Sequence, residues 1–288
     1  MATVHRDTAA VSRKEYAVTR VGDVQVPQGN TSRGVNREIF KYLQEAAPAA
    51  GWKTLLDLPC GHGLFVQTIN RHLPLQAHGA DIMPSPAHLA PHEYTRFDAS
   101  AALAGPLPEP LQGRYDVVTC ISGIMEFGNT SQFFDFCAQR LAPGGCFIVT
   151  NDSIFTVQDR LLYLLLGRTR RLKLFRVRNQ SVWHIIPMPT TVGMLHAAGF
   201  RVERVVHVLG KPKDLWMLPL AALLYPLLRL YVGCSSFFEK SSIDPGLKAG
   251  MYSFRSLFCT SYVLICRRQA DAPGAADTAG ALGRLGAD

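Results

Sequence analysis

The stretch TLLDLPCGHGLF, Thr54 to Phe65, decides the fold. An apolar run of strand length ends in Asp57. Pro59, Cys60, Gly61, His62 and Gly63 then turn the chain into a helical pattern, Leu64–His72. Glycines at such a turn let the backbone pass close to a ligand, and the helix start offers N–H groups without helical partners. An ordinary strand-to-helix loop has the same look, so the neighbouring segments must decide what this one is for.

Working outward, apolar runs alternate with helical stretches. The runs are Thr54–Leu58, Ala77–Ile82, Tyr94–Phe97, Tyr115–Ile121 and Cys146–Thr150, with helical potential at Leu64–His72 and Ser131–Leu141. This alternation predicts a parallel sheet covered on both faces. A helix is predicted from Val35 to Ala47, stopping before Pro48, and another over Thr190–Ala198, closed by Gly199. Two late strands are predicted at Phe200–Val208 and Ser261–Arg267. Asp81 closes the second run and Asp98 the third, in YTRFDAS. A carboxylate at the first place can accept from both hydroxyls of a ribose, and one at the second can reach an adenine amino group. RYDVVTCISGIMEF and RLAPGGCFIVT follow, the latter a helix feeding a strand through a Pro-Gly-Gly turn.

Glycine turn, ribose acid, adenine acid, Asp116-bearing strand, then Leu141-Ala142-Pro143-Gly144-Gly145: in this order the sequence resembles the class I S-adenosylmethionine-dependent methyltransferases of small-molecule type. The resemblance covers about residues 34–208 and 260–268. It implies an α/β fold, a Rossmann-like doubly wound seven-stranded sheet, mostly parallel with the last strand antiparallel, carrying helical lid insertions. It also implies S-adenosylmethionine as cofactor. Asp57, Gly61 and Gly63 would line its methionine end, with Pro59 where the family often has its first glycine. Asp81 and Ile82 would hold the ribose side, Asp98 and Ala99 the adenine edge, and Cys120, Ile121 and Ser122 would face the methyl group. The implied organisation is an N-terminal arm (1–33), a methyltransferase domain (34–268) with insertions at about 152–189 and 209–258, and a disordered tail (269–288). A dinucleotide-dependent oxidoreductase is the weaker fit, because Leu64, Phe65 and Val66 follow Gly63 with no third glycine.

Composition bounds the rest. Of 288 residues 48% are hydrophobic and 18% charged, which excludes wholesale disorder. The net charge of +8 is local: Arg160 to Arg178 supplies seven basic residues and no acidic one. Seven cysteines make no CxxC pair and no metal-ligand spacing, and read as reduced small hydrophobes in a cytoplasmic protein.

The acceptor is less legible. Base N-methyltransferases acting on nucleic acid carry an Asp/Asn-Pro-Pro-aromatic tetrad where this chain has Ser122-Gly123-Ile124-Met125, which argues against nucleic acid. The reading favoured here is O-methylation of a glycan, a lipid-linked intermediate or another partly apolar metabolite. The alternatives are C- or N-methylation of an isoprenoid or other apolar metabolite, and a catalytically silent methyltransferase-like subunit. A hydroxyl acceptor needs a base; the candidates are His184 and Glu126. The basic stripe beside the apolar helix Leu161–Leu166 suits either an anionic membrane surface, through Arg168, Arg170, Arg171 and Lys173, or a solvated lid face. Leu215–Val232, with Arg229 its one charge, is expected to form two short helices broken at Pro219 and Pro226. These would serve as a lid, a homodimer surface or an interfacial anchor. The expected location is the cytoplasm, peripheral at the inner face of the membrane.

Overall fold

The computed structural model describes residues 16–100, 106–170, 186–238 and 243–269. A hairpin of β1 (Val18–Val21) and β2 (Val24–Pro27) comes first, then α1 (Val35–Ala50), β3 (Thr54–Asp57), α2 (Leu64–His72) and β4 (Gln76–Asp81). β5 (Tyr94–Arg96), α3 (Glu109–Gln112), β6 (Tyr115–Cys120), α4 (Thr130–Arg140) and β7 (Leu141–Asp152) follow. The last third holds α5 (Val157–Leu166), α6 (Met188–Ala197), β8 (Phe200–Val208), α7 (Leu218–Phe238), α8 (Pro245–Met251) and β9 (Ser261–Arg268).

Seven strands form one sheet in the order β5-β4-β3-β6-β7-β9-β8, with β9 antiparallel to both its neighbours and every other pairing parallel. The alternation of runs predicts the parallel part of this sheet, and the family resemblance its seven strands and doubly wound order. Both faces are covered, which is why the strands are apolar without a break. Along β7, Phe147 and Val149 enter the core built with α4, α6 and α8, while Cys146 and Ile148 enter the one built with α1 and α2. Leu55 and Leu56 of β3 divide in the same way. All seven cysteines are free, and six of them are buried.

Two expectations need correction. α1 runs through Pro48 to Ala50 and stops at Gly51, whose φ of 70° and amide bond to the Pro48 carbonyl close the helix. Proline in the last turn removes one helical bond, a loss the packed face of Val35, Ile39, Phe40, Leu43 and Ala47 outweighs. Leu215–Val232 is not two helices. A 3₁₀ turn (Pro212–Met217) leads into the single 21-residue α7. Pro219 sits in its first turn, where a missing N–H costs nothing. Pro226 mid-helix forfeits one bond and crowds the carbonyl one turn earlier, a cost of ~3 kcal/mol that the packing of Leu224, Tyr225 and Leu228 offsets. Within the N-terminal arm, the described residues from Tyr16 form the hairpin, which is seated beside α1, and Gln28 and Thr31 are buried. The tail from residue 270 and His184 lie outside the described residues.

Candidate functional site

β3 and β6 are adjacent at the centre of the sheet, and the strands on either side of them are wound in opposite directions. The crevice at the carboxyl ends of such a pair is where open α/β sheets bind ligands. Asp57 ends β3 there. It is 2% exposed, its Oδ1 accepts from Thr119 Oγ1 at 2.6 Å, and its carboxyl is pushed up to about 7. Burial is the main cause; the Thr119 bond opposes it and the Asp81 charge adds to it.

Asp81 ends β4 at the same edge. Its Oδ2 accepts from the Gly61 amide at 2.8 Å and its Oδ1 from the Met83 amide at 3.1 Å. The glycine turn and the next strand are thereby joined by one carboxylate. Gly61 has a φ of 55° and open space where a Cβ would stand. Gly63 has a φ of 83°, and a Cβ there would come within 2.3 Å of Leu89. Both positions suit only glycine, one for conformation and one for conformation and packing together. Pro59, in a cis bond after Leu58, packs on Gly123 of the β6 loop, where an added Cβ would lie 2.3 Å from Pro59 Cδ.

The other residues picked out in the sequence fall around this edge. Ile82 is 56% exposed just beyond Asp81. Asp98 follows β5, its Oδ1 accepting from Ser100 N at 2.9 Å and Ser100 Oγ at 2.7 Å, and Ala99 is buried beside it. Cys120 is fully buried, its thiol pushed up by burial and by the Asp57 charge, so it stays neutral. Ile121 and Ser122 follow it, and Ser122 holds a left-handed φ of 58°. Glu126 is exposed on the loop after β6. Asp116 lies at the opposite edge, where its Oδ2 accepts from Lys53 N, Thr54 N and Thr54 Oγ1 at 2.8–3.1 Å. It joins β3 to β6 and is remote from the crevice.

Sequence reasoning missed three participants. Thr31, from the segment after the hairpin, bonds Ser122 Oγ through its own hydroxyl at 2.7 Å, while the Ser122 amide donates to Thr150 Oγ1 at 2.8 Å. No local signal marks a contact across such a sequence distance. Tyr94 lays its hydroxyl on the Asp81 and Met83 carbonyls. Asp152 ends β7 two residues beyond Thr150 and therefore on the same face of the sheet. It is 7% exposed, and Ser261 Oγ donates to its Oδ1 at 3.1 Å. β7 runs two residues past its expected end, Thr150, and those two residues bring Asp152 to the edge.

α5 leaves β7 directly after this acid. Thr156 caps it, accepting from Asp159 N at 3.1 Å, and Asp159 pairs with Arg170 at 2.9 Å. Arg170 also donates to the carbonyls of Ser153 (3.0 Å) and Thr260 (2.8 Å), so one guanidinium fastens the insertion to the ends of two strands. This corrects one expectation: Arg170 faces the protein and is not part of an outer basic surface. The Phe155 and Tyr252 rings meet nearby in a tilted contact, their centroids 5.8 Å apart.

A family model for the methyltransferase domain matches residues 32–205. No curated protein matches the chain. Among solved structures it is similar to an S-adenosylmethionine-dependent methyltransferase from Mesorhizobium loti, at 14% identity over 75% of this chain and 91% of that one, with a TM-score of 0.44. A counterpart from Archaeoglobus fulgidus gives 13%, 82%, 96% and 0.48. Phosphoethanolamine N-methyltransferase 2 of Haemonchus contortus gives 16% identity and a TM-score of 0.47, with 84% of this chain aligned to 55% of that one. None of these likenesses bears on the acceptor.

Proposed function

The chain belongs to the S-adenosylmethionine-dependent methyltransferases, and from that premise we propose that it methylates a hydroxyl of a small, partly apolar acceptor. The crevice fits the cofactor on its own features. Gly61 leaves room above its Cα, and Asp81 is oriented by two amides that leave further lone pairs on each oxygen. Asp57 is a buried acid that a cationic amino group would draw into its charged form. In this reading Asp57, Pro59, Gly61 and Gly63 hold the methionine end. Asp81 and Ile82 take the ribose, Asp98 and Ala99 the adenine, and Cys120, Ile121 and Ser122 border the methyl group. When bound, S-adenosylmethionine supplies a methyl group activated by its sulfonium.

What the protein must add is orientation and a place for the acceptor's proton. The observation that carries the hydroxyl reading is the carboxyl end of β7, where Asp152 stands buried beside Ser261 and the chain passes straight into an apolar insertion. An acid and a greasy wall at one edge suit an acceptor with a hydroxyl and an apolar part. Asp152 joins Glu126 and His184 as the group that takes the proton. Asp152→Asn is expected to lower turnover ~10²–10⁴-fold with cofactor affinity intact. The protein should be incubated with methyl-labelled cofactor and fractionated cell extract. Label is expected in a solvent-extractable fraction, as a methyl ether stable to mild alkali. Label confined to amines, nucleic acid or protein would sink the hydroxyl reading.

A further inference from the structure

The insertion that follows Asp152 also turns an apolar surface outward to solvent. Residues Tyr163, Leu164, Leu165 and Leu166 make a full turn of α5, and all four are exposed, Leu164 by 79%. Four consecutive residues at about 100° each cover the whole circumference of a helix. This tip therefore stands clear of the body, and it is apolar all round. α7 lies alongside: Leu220, Leu224, Tyr225 and Leu228 pack with Val157, Leu161 and Phe254, forming a small core of their own. The opposite face of α7 is also apolar. Leu223, Leu227, Leu230 and Tyr231 are each more than 60% exposed. A soluble surface helix would be polar there.

The fringe of this face is cationic. Arg160 precedes the α5 tip, Lys211 and Lys213 precede α7, Arg229 is the one charged residue within α7, and all four are exposed. Of the two acids of these segments, Asp159 is buried against Arg170, and Asp214 caps the 3₁₀ turn at its own surface by accepting from the Lys211 amide, so the cations of the fringe still outnumber the acids. A second copy docking by two-fold symmetry would set this fringe against itself. An anionic lipid surface complements both the charge and the apolar centre.

The segment Pro212–Ser235 is long and apolar enough to cross a membrane by length and composition, but its ends forbid crossing. Ala221 is buried with Leu257 near the start of α7, and Ile243 packs against the main core only five residues after the helix ends at Phe238. Five residues reach ~18 Å at most, while the hydrocarbon layer is ~30 Å thick. Val208 and Ser261, which flank the whole insertion, are paired in the sheet. Both ends of α7 thus return to one side.

We propose that the α5 tip and the outer face of α7 form an interfacial anchor that seats the protein on an anionic bilayer surface without spanning it. The anchor is independent of the acceptor's identity. The test is flotation of the full chain with phosphatidylglycerol/phosphatidylcholine vesicles against phosphatidylcholine alone, at low and high salt. Binding is expected to the anionic vesicles only, released by salt. Each cation near such a surface contributes about fivefold to partition, so Lys211→Gln, Lys213→Gln and Arg229→Gln together should weaken it about a hundredfold. Leu164→Glu with Leu223→Glu should abolish it while leaving S-adenosylmethionine affinity unchanged, which certifies the fold. Wild-type protein that stays unbound with anionic vesicles would overturn the proposal. So would resistance to carbonate extraction, or a dimer dissolved by Leu223→Glu in a chain that ignores vesicles.

Discussion

The crevice at the carboxyl ends of β3, β4 and β6 and the α5/α7 insertion differ in where their bonding capacity points. In the crevice, polar groups are turned on one another: Asp81 holds two amides, Asp57 takes Thr119, and Thr31 meets Ser122. Its strength lies in position, because each group is held by a neighbour while keeping capacity for a ligand. In the insertion, apolar groups are turned outward, and among the described residues it is held by the buried Asp159–Arg170 pair, the Arg170 bonds to Ser153 and Thr260, and the small core around Val157, Ala221 and Leu257. The crevice, the proposed cofactor site, is built of satisfied polar contacts. A region that meets something apolar leaves its surface unsatisfied.

The largest expected effect lies at the seam between the two regions. Arg170→Ala strands Asp159 in the interior without its partner and should destabilise the fold by ~3–5 kcal/mol in chemical denaturation. A loss below ~1 kcal/mol would mean that the insertion is held by its apolar core alone.

A second effect sharpens the crevice half of the contrast. The folded Asp57 carboxyl titrates near 7, above its ordinary value of 3.8, so between those values the folded chain keeps a proton that the unfolded chain has released. The unfolded state binds fewer protons there, and Asp57's contribution to stability falls as pH rises through the window, by at most ~1.4 kcal/mol per unit. Asp57→Asn should lack that slope. Cofactor affinity should run the other way and rise with pH toward 7 as the carboxylate forms. Parallel pH curves for the two proteins would show that Asp57 is charged throughout.

The smallest effect concerns the hairpin segment. Thr31→Val removes the bond to Ser122 and should cost ~0.5–1.5 kcal/mol of stability. If nothing changes by thermal denaturation, the segment does not brace the β6 turn.

Legibility in the sequence divides along the same line. The central strands and the glycine turn were readable because each signal is local: an apolar run, its terminal acid, a turn rich in glycine. The seven-stranded sheet and the grouping of Asp57, Gly61 and Asp81 came from the family resemblance that their order carries. α2 matched its expected span, Leu64–His72. What escaped was set by distance or by packing. The Thr31 hydroxyl reaches Ser122 only through the fold, Asp152 depends on how far β7 runs before pairing ends, and α7 stays whole across Pro226 because its inner face packs on α5. The basic stripe misled at Arg170, since a charge count does not show which cation the interior will take.

The central claim is that the Asp57–Gly61–Asp81 edge holds S-adenosylmethionine, and titration calorimetry tests it most directly. Above pH 7 the wild-type chain should bind S-adenosylmethionine and give no heat with NAD. Asp81→Ala should weaken binding by ~1.5–3 kcal/mol, with Asp81→Asn separating lost charge from a loosened turn. Unchanged affinity in Asp81→Ala, or binding of NAD in place of S-adenosylmethionine, would contradict the account.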